Sequence, residues 1–311
     1  MIKPKALKIG DTLGVIAPAS PTTEENVRKS HNRLVEMGFK VKMGKSCYET
    51  YGYLAGSDSL RAKDINNMFK DEEVDGIICL RGGYGTPRIL DLLDYDLIKN
   101  NPKVFIGYSD ITALHIAIIQ TSKLITFHGP MVSSNLIGDF SDFSRKSLYN
   151  FIIEGEFKES INNPKGEEME IINGGVAEAE IIGGNLSLIV NTLGTPYEID
   201  SKGKILFIEE ISEEPYEIDR MFTQLRLSGK LKGSEGIILG DFKNCTSETS
   251  EYDDSLTLEQ VIEDIIKPVE KPTIANLRAG HCEPMVTIPF GVKVRLDANR
   301  RQLTLLEKPT I

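Results

Sequence analysis

The sequence predicts an α/β protein in which a parallel-sheet domain is followed by a smaller, β-rich one. Three observations carry this. Short apolar runs first alternate with longer stretches of helical period, a polar, turn-rich segment then interrupts the chain, and strand patterns dominate beyond it. In order, residues 12–17 read as strand, 24–37 as helix, 40–43 as strand and 57–70 as helix. Three short apolar strands follow at 76–80, 104–106 and 124–127. That alternation means a parallel sheet with helices on both faces, where ligands gather at the carboxyl ends of the strands. Between 154 and 170 the chain turns polar (Glu154-Gly155-Glu156, then Asn162-Asn163-Pro164-Lys165-Gly166). We therefore expect an N-terminal domain over 1–155, a linker over 156–170 and a C-terminal domain over 171–311. In the latter, strands are expected at 177–182, 205–209, 236–239, 285–288, 292–296 and 303–306, and helices at 186–192, 217–227 and 258–266.

Bulk composition narrows the function. A chain of 311 residues that is 40% apolar can bury two cores. A net charge of −10 and a pI near 5.1 argue against nucleic acid or an anionic membrane as partner, because both recruit clustered Lys and Arg. A small or uncharged substrate fits better. Lys3 and Lys5 precede an apolar stretch, but Gly14 and Pro18 break it, so it reads as a first strand rather than a signal peptide. No run approaches the ~18 apolar residues of a membrane span. Cys47, Cys79, Cys245 and Cys282 form no C-x-x-C pair, which suits reduced thiols better than disulfides or zinc. The expected location is cytoplasmic.

One turn suggests chemistry. In Ile106-Gly107-Tyr108-Ser109-Asp110 an apolar strand gives way to a helical run over 111–120. A sharp strand-to-helix turn lifts its serine above the sheet and aims the first helical N–H groups at whatever the hydroxyl attacks. The motif lacks the final glycine of G-x-S-x-G, and a helix N-cap serine is the plain alternative.

A nucleophilic serine needs a base, normally a histidine oriented by a carboxylate. Four histidines are available. His115, six residues beyond Ser109 on the same helical run, falls about 240° round the axis and about 9 Å along it, and its Ile111 and Ile118 neighbours mark it as core. His31 lies among Lys29, Ser30, Asn32 and Arg33 and reads as exposed. His128 closes a strand before Gly129-Pro130, at the sheet edge expected for Ser109, and His281 sits in the turn-like Ala279-Gly280-His281-Cys282-Glu283-Pro284. Either could be the base. For the carboxylate, Ile205-Leu206-Phe207-Ile208-Glu209-Glu210 ends a strand in two acids; the two-residue period puts Glu209 with Phe207 and Glu210 on the other face. Glu213 and Glu214 read as first-turn acids of the next helix.

Arg81-Gly82-Gly83-Tyr84-Gly85 has neither G-x-G-x-x-G spacing nor a G-K-[ST] ending, so a nucleotide-dependent oxidoreductase is disfavoured. Its glycines admit close backbone approach, and the N–H groups of Gly83 and Asp110 could form an oxyanion hole; a tight turn is the structural alternative. Gly183-Gly184-Asn185, before a helical run, carries the same ambiguity.

Together these segments resemble the LD-carboxypeptidases, or muramoyltetrapeptide carboxypeptidases, a serine peptidase family that includes the microcin C self-immunity peptidases. The resemblance runs almost end to end: Gly14 to Ser20, Gly52-Tyr53-Leu54-Ala55-Gly56 with Arg61, Arg81 to Gly85, Gly107 to Asp110, His128-Gly129-Pro130, Gly183 to Leu186, Leu206 to Glu210 with Arg220, and Gly280-His281. It implies a flavodoxin-like N-terminal domain, a smaller β-rich C-terminal domain, and a triad assembled between them. Ser109 would be nucleophile, His281 base and Glu209 the orienting acid, with Glu210 in reserve. It further implies hydrolysis of an L,D peptide bond to a C-terminal D-amino acid, as in recycling of murein tetrapeptides, and a homodimer, with no metal or organic cofactor. Arg81, Tyr84, His128 and Asn185 are candidate substrate contacts, and Arg81, Arg88 or Arg278 could hold the terminal carboxylate.

Two other readings compete. A microcin C-type immunity peptidase would cleave a peptidyl or aminoacyl nucleotide; the absence of tryptophan counts against base stacking, although Tyr252 or a phenylalanine could serve. In the other, a non-catalytic ligand-binding protein would use Ser109 only as a hydrogen-bonding group.

Overall fold

A computed structural model describes residues 1–247 and 255–311. The chain divides into two compact units. The first comprises Met1–Lys158, Thr287–Gly291 and Lys308–Ile311; the second comprises Glu159–Val286 and Val292–Glu307.

The first unit is built on β1 (Thr12–Ile16), α1 (Glu24–Glu36), β2 (Lys40–Met43), α2 (Asp58–Lys70), β3 (Gly76–Cys79), α3 (Tyr95–Asn100), β4 (Val104–Gly107), α4 (Thr112–Ala117), β5 (Thr126–His128) and α5 (Asp142–Ile152). Thr23 and Ser57 start α1 and α2 by accepting the backbone N–H of Asn26 and Leu60, which satisfies donors that a helix leaves orphaned. The five strands are parallel and lie in the order β2-β1-β3-β4-β5, the flavodoxin-like arrangement. Ile77, Ile78, Phe105, Ile106 and Phe127 are buried, as parallel strands covered on both faces require. Each such side chain contributes about 1.5–3 kcal/mol.

The second unit continues with β6 (Ser160–Ile161), β7 (Glu170–Asn173), β8 (Val176–Asn185), α6 (Leu186–Asn191), β9 (Ile205–Ile211), α7 (Pro215–Leu227), α8 (Lys230–Gly233), β10 (Gly236–Lys243), α9 (Leu258–Val261), β11 (Thr273–Ala275), β12 (Ile288–Phe290), β13 (Lys293–Asp297) and β14 (Gln302–Leu305), of which β12 belongs to the first unit. Its eight strands run β6-β14-β13-β8-β9-β10-β11-β7, with β8 to β11 parallel and the flanks antiparallel.

Three details depart from the pattern read in the sequence. The polar stretch after Glu154 is not all loop, since Ser160–Ile161 pairs with β14. β12 leaves the C-terminal sequence to pair antiparallel with β5, Ile288 opposite His128. Gly183 and Gly184 are not a turn but strand residues of β8, and a Cβ on Gly183 would collide with the Phe207 carbonyl of β9. The glycine is there for close strand approach. No helix among the described residues is long and apolar enough to cross a membrane.

Candidate active site

In the first unit, the carboxyl ends of β1, β3 and β4 open into loops that touch one another. Ser20, after β1, donates its N–H to the Gly82 carbonyl, and its hydroxyl accepts the Tyr84 N–H. Gly82, after β3, lies so close to Ser109 that a Cβ there would stand 3.0 Å from the serine Cβ and 3.1 Å from Oγ. Gly83, at φ 116°, has no room for a side chain beside Ser20. Glycine is thus used here to bring backbone up to the serine.

Ser109 itself stands at φ 63°, in the left-handed region, on a short 3-10 turn (Ser109–Ile111) between β4 and α4. A non-glycine residue pays about 1–2 kcal/mol for that conformation, and such strain concentrates at functional turns. The side chain is half-buried and reachable. The next residue, Asp110, is buried; its carboxylate accepts the Thr86 N–H at 2.8 Å, and the Thr86 hydroxyl donates to its carbonyl. Burial pushes this carboxyl up to about 6, against the pull of the Thr86 and Gly85 N–H groups and of Arg61.

His115 supports the turn from below. Its Nε2 donates to the Gly107 carbonyl at 2.8 Å, and Nδ1 accepts from the Thr126 hydroxyl at 2.8 Å. Burial drives its pKa down to about 4. The sign follows. The unfolded chain takes up a proton near 6.5 while the folded one resists until about 4, so stability present above 6.5 is lost as pH falls through that window. Between pH 7 and pH 4 the stability of His115→Gln relative to wild type should therefore rise by about 3 kcal/mol, measured by urea unfolding at both pH values. An unchanged difference would mean that His115 is not held neutral.

In the second unit, β9 ends in two acids whose main partners differ, although the Asn185 amide acts on both. Glu209 is fully buried, and His281 Nδ1 bonds its Oε2 at 2.8 Å. Burial raises the Glu209 pKa and the histidine opposes that rise. An ionised carboxylate only accepts, so in this contact Nδ1 is the donor. Gly280, at φ 114°, lets the His281 loop settle on this acid, since a Cβ there would stand 2.6 Å from Glu209 Oε2. Glu210 points elsewhere. It accepts from Asn185 Nδ2 at 2.7 Å, Ser187 N at 2.7 Å and Ile211 N at 2.8 Å, fixing the start of α6.

The structure thus pairs Glu209 with His281, pairs Asn185 with Glu210, and brings the glycine loop to Ser109. It places other candidates differently. His128 is fully buried in ring contact with Tyr108, His115 and Phe290, which makes it part of the core rather than a surface for substrate. Asn185 caps α6 and is almost fully buried. Arg81 donates to the Pro21 carbonyl at 3.1 Å, Arg88 pairs with Asp58 at 2.8 Å, and Arg278 pairs with Asp241 at 2.9 Å. Tyr84 is exposed, its ring 5.8 Å from that of Tyr53. Tyr252 lies outside the described residues. Gly82 makes the close backbone approach that the glycines of its segment admit, whereas Ser20 has no role predictable from sequence beyond its place after β1.

The strand order and the strained serine turn define a flavodoxin-like α/β protein with a hydrolase-type elbow. Residues 13–129 match the LD-carboxypeptidase N-terminal domain and residues 178–296 the LD-carboxypeptidase C-terminal domain, so the chain belongs to the LD-carboxypeptidase family of serine peptidases. It is 46% identical over 296 residues to a probable murein peptide carboxypeptidase of Bacillus subtilis (strain 168), covering 95% of this chain and 91% of that protein. It is 29% identical over 337 residues to the microcin C7 self-immunity protein MccF of Escherichia coli, covering 97% and 95%. The crystal structure of muramoyltetrapeptide carboxypeptidase from Oxalobacter formigenes superposes with a TM-score of 0.80 at 27% identity, over 94% of this chain and 97% of that one.

Proposed function

We propose that the protein is a serine LD-carboxypeptidase that removes a C-terminal D-amino acid from murein-type peptides through a triad of Ser109, His281 and Glu209. The observation that carries this is the buried Glu209–His281 pair, in which the carboxylate lies 2.8 Å from Nδ1 as the orienting acid of a triad does. The substrate class follows the Bacillus subtilis relative.

His281 Nε2 takes the Ser109 proton as Oγ attacks the carbonyl of the terminal peptide bond. The N–H groups of Gly83 and Asp110 hold the oxyanion. The histidine returns its proton to the leaving amine as the C–N bond breaks, and water, deprotonated by the same nitrogen, releases the acyl group from Ser109. No step calls for a metal or cofactor. Among the three arginines, Arg81 is the proposed anchor of the terminal carboxylate, because Arg88 and Arg278 already face acids. Four buried, unpaired cysteines support a reducing, cytoplasmic setting. A homodimer rests on the family resemblance.

The test is mass-spectrometric product analysis with murein tetrapeptides ending in D-Ala and in L-Ala. Release from the D form alone is expected; release from both, or from neither, refutes the L,D specificity. The relation to MccF motivates a third arm, a peptidyl adenylate analogue. Preferential hydrolysis of that substrate would favour a microcin-type activity instead.

A further inference from the structure

The first unit contains a buried cation that the proposed mechanism does not use. Arg61, on α2, is completely buried in a protein whose other charged groups lie mainly at the surface. Its Nη1 donates to the Pro18 carbonyl at 2.5 Å and to the Gly85 carbonyl at 2.9 Å, and its Nη2 pairs with Asp58. Asp58 in turn is held by Arg88 through three further contacts of 2.8 to 3.1 Å.

Those two carbonyls belong to the two loops that surround the serine. Pro18 precedes Ser20, which grips Gly82 and Tyr84. Gly85 closes the glycine loop, and the next residue, Thr86, is bonded to Asp110 beside Ser109. The backbone at positions 85 and 86 is therefore gripped from two sides, by a guanidinium on the carbonyl and by a carboxylate on the N–H. Only a planar, multidentate donor can satisfy two carbonyls and a carboxylate together from one buried position. Gly85 itself sits at φ 131°, and a Cβ there would stand 2.8 Å from Arg61 Nη1, so the loop is shaped around this guanidinium.

We infer that Arg61 is a positioning residue, which ties the loops after β1 and β3 together and so fixes the Gly82–Gly83 backbone against Ser109. The inference rests on the serine-peptidase reading, since the group being positioned is the donor loop of its nucleophile. Arg61 acts on the chemistry through the Pro18 and Gly85 carbonyls and not by touching substrate, and so affects rate rather than substrate affinity. A donor displaced by an ångström costs about a hundredfold in rate, even when the change lies away from the reacting atoms.

The full chain and its Arg61→Met and Arg61→Lys variants test this with a fluorophosphonate probe. Acylation of Ser109 is timed by intact mass and normalised to folded protein, and backbone hydrogen exchange is followed across residues 82–86. Arg61→Met should slow acylation at least about tenfold, and lower kcat with little change in KM on a cleaved peptide. It should also quicken exchange in the loop. Arg61→Lys, which keeps the charge and part of the donor set, should recover part of the rate. Acylation of folded Arg61→Met within about twofold of wild type would overturn the inference, even if its melting temperature fell, because the residue would then serve stability alone. Should Arg61→Met not fold, Arg61→Lys decides by the same two readouts. A wild-type chain that leaves Ser109 unlabelled has a different meaning: the nucleophile reading fails, and the positioning role falls with it.

Discussion

Ser109→Ala should remove peptide hydrolysis almost completely, with kcat falling on the order of a millionfold while the fold persists. The loss is that large because nucleophile, base and acid act as a unit, and what remains without the nucleophile is only the contribution of binding and of the oxyanion donors. Stability should change by about 1 kcal/mol or less, because alanine meets the same left-handed backbone at this turn as serine does and removes only a half-buried hydroxyl. Turnover of a D-Ala tetrapeptide and a thermal melt on the same sample check both halves. A variant that still cleaves peptide at more than a hundredth of the wild-type rate would mean that Ser109 is not the nucleophile.

The second large effect separates two adjacent acids. Glu209→Gln should cost about ten-thousandfold in kcat with the geometry nearly unchanged. The glutamine amide can present an N–H to Nδ1, which favours the tautomer with hydrogen on Nε2 and leaves no acceptor for the serine proton. Glu210→Gln should do the opposite. It weakens the hold on Asn185, Ser187 and Ile211, so it should lower unfolding free energy by about 1–3 kcal/mol and leave the turnover of folded protein within a fewfold of wild type. Parallel kcat and urea-unfolding measurements on the two variants decide the matter, and an exchange of the two phenotypes would reassign the acid to Glu210.

That pair also illustrates what the sequence can express. The two-residue period places Glu209 and Glu210 on opposite faces of a strand, but which face holds a histidine depends on how β8 and β10 flank β9. The alternation of the first unit was plainer, because parallel strands buried on both faces need continuous apolar runs and the intervening helices need a 3.6-residue period. The serine turn was legible for the same reason, as the break between two periods. Residues whose partners are remote in sequence were not. His128 reads as a strand-end residue facing a loop, yet β12 pairs with its strand and Phe290 closes over it. Gly183-Gly184 has the composition of a turn, and only the proximity of Phe207 makes it strand. Arg61 has the character of an exposed helical arginine until two loop carbonyls are found at its tip.

The return of β12 to the first sheet sets an order of events during synthesis. Everything that shapes the serine turn, from β1 to β5, leaves the ribosome early, but the outer edge of β5 has no neighbour until Ile288–Phe290 has been made. Throughout translation of the second unit the nascent first unit therefore presents an open strand edge, which is a template for pairing with other chains. Pro289 at the centre of the late strand removes a backbone donor and so prevents β12 from extending the sheet any further. The proline that ends the sheet thus also protects it, but only once Ile288–Phe290 has been made.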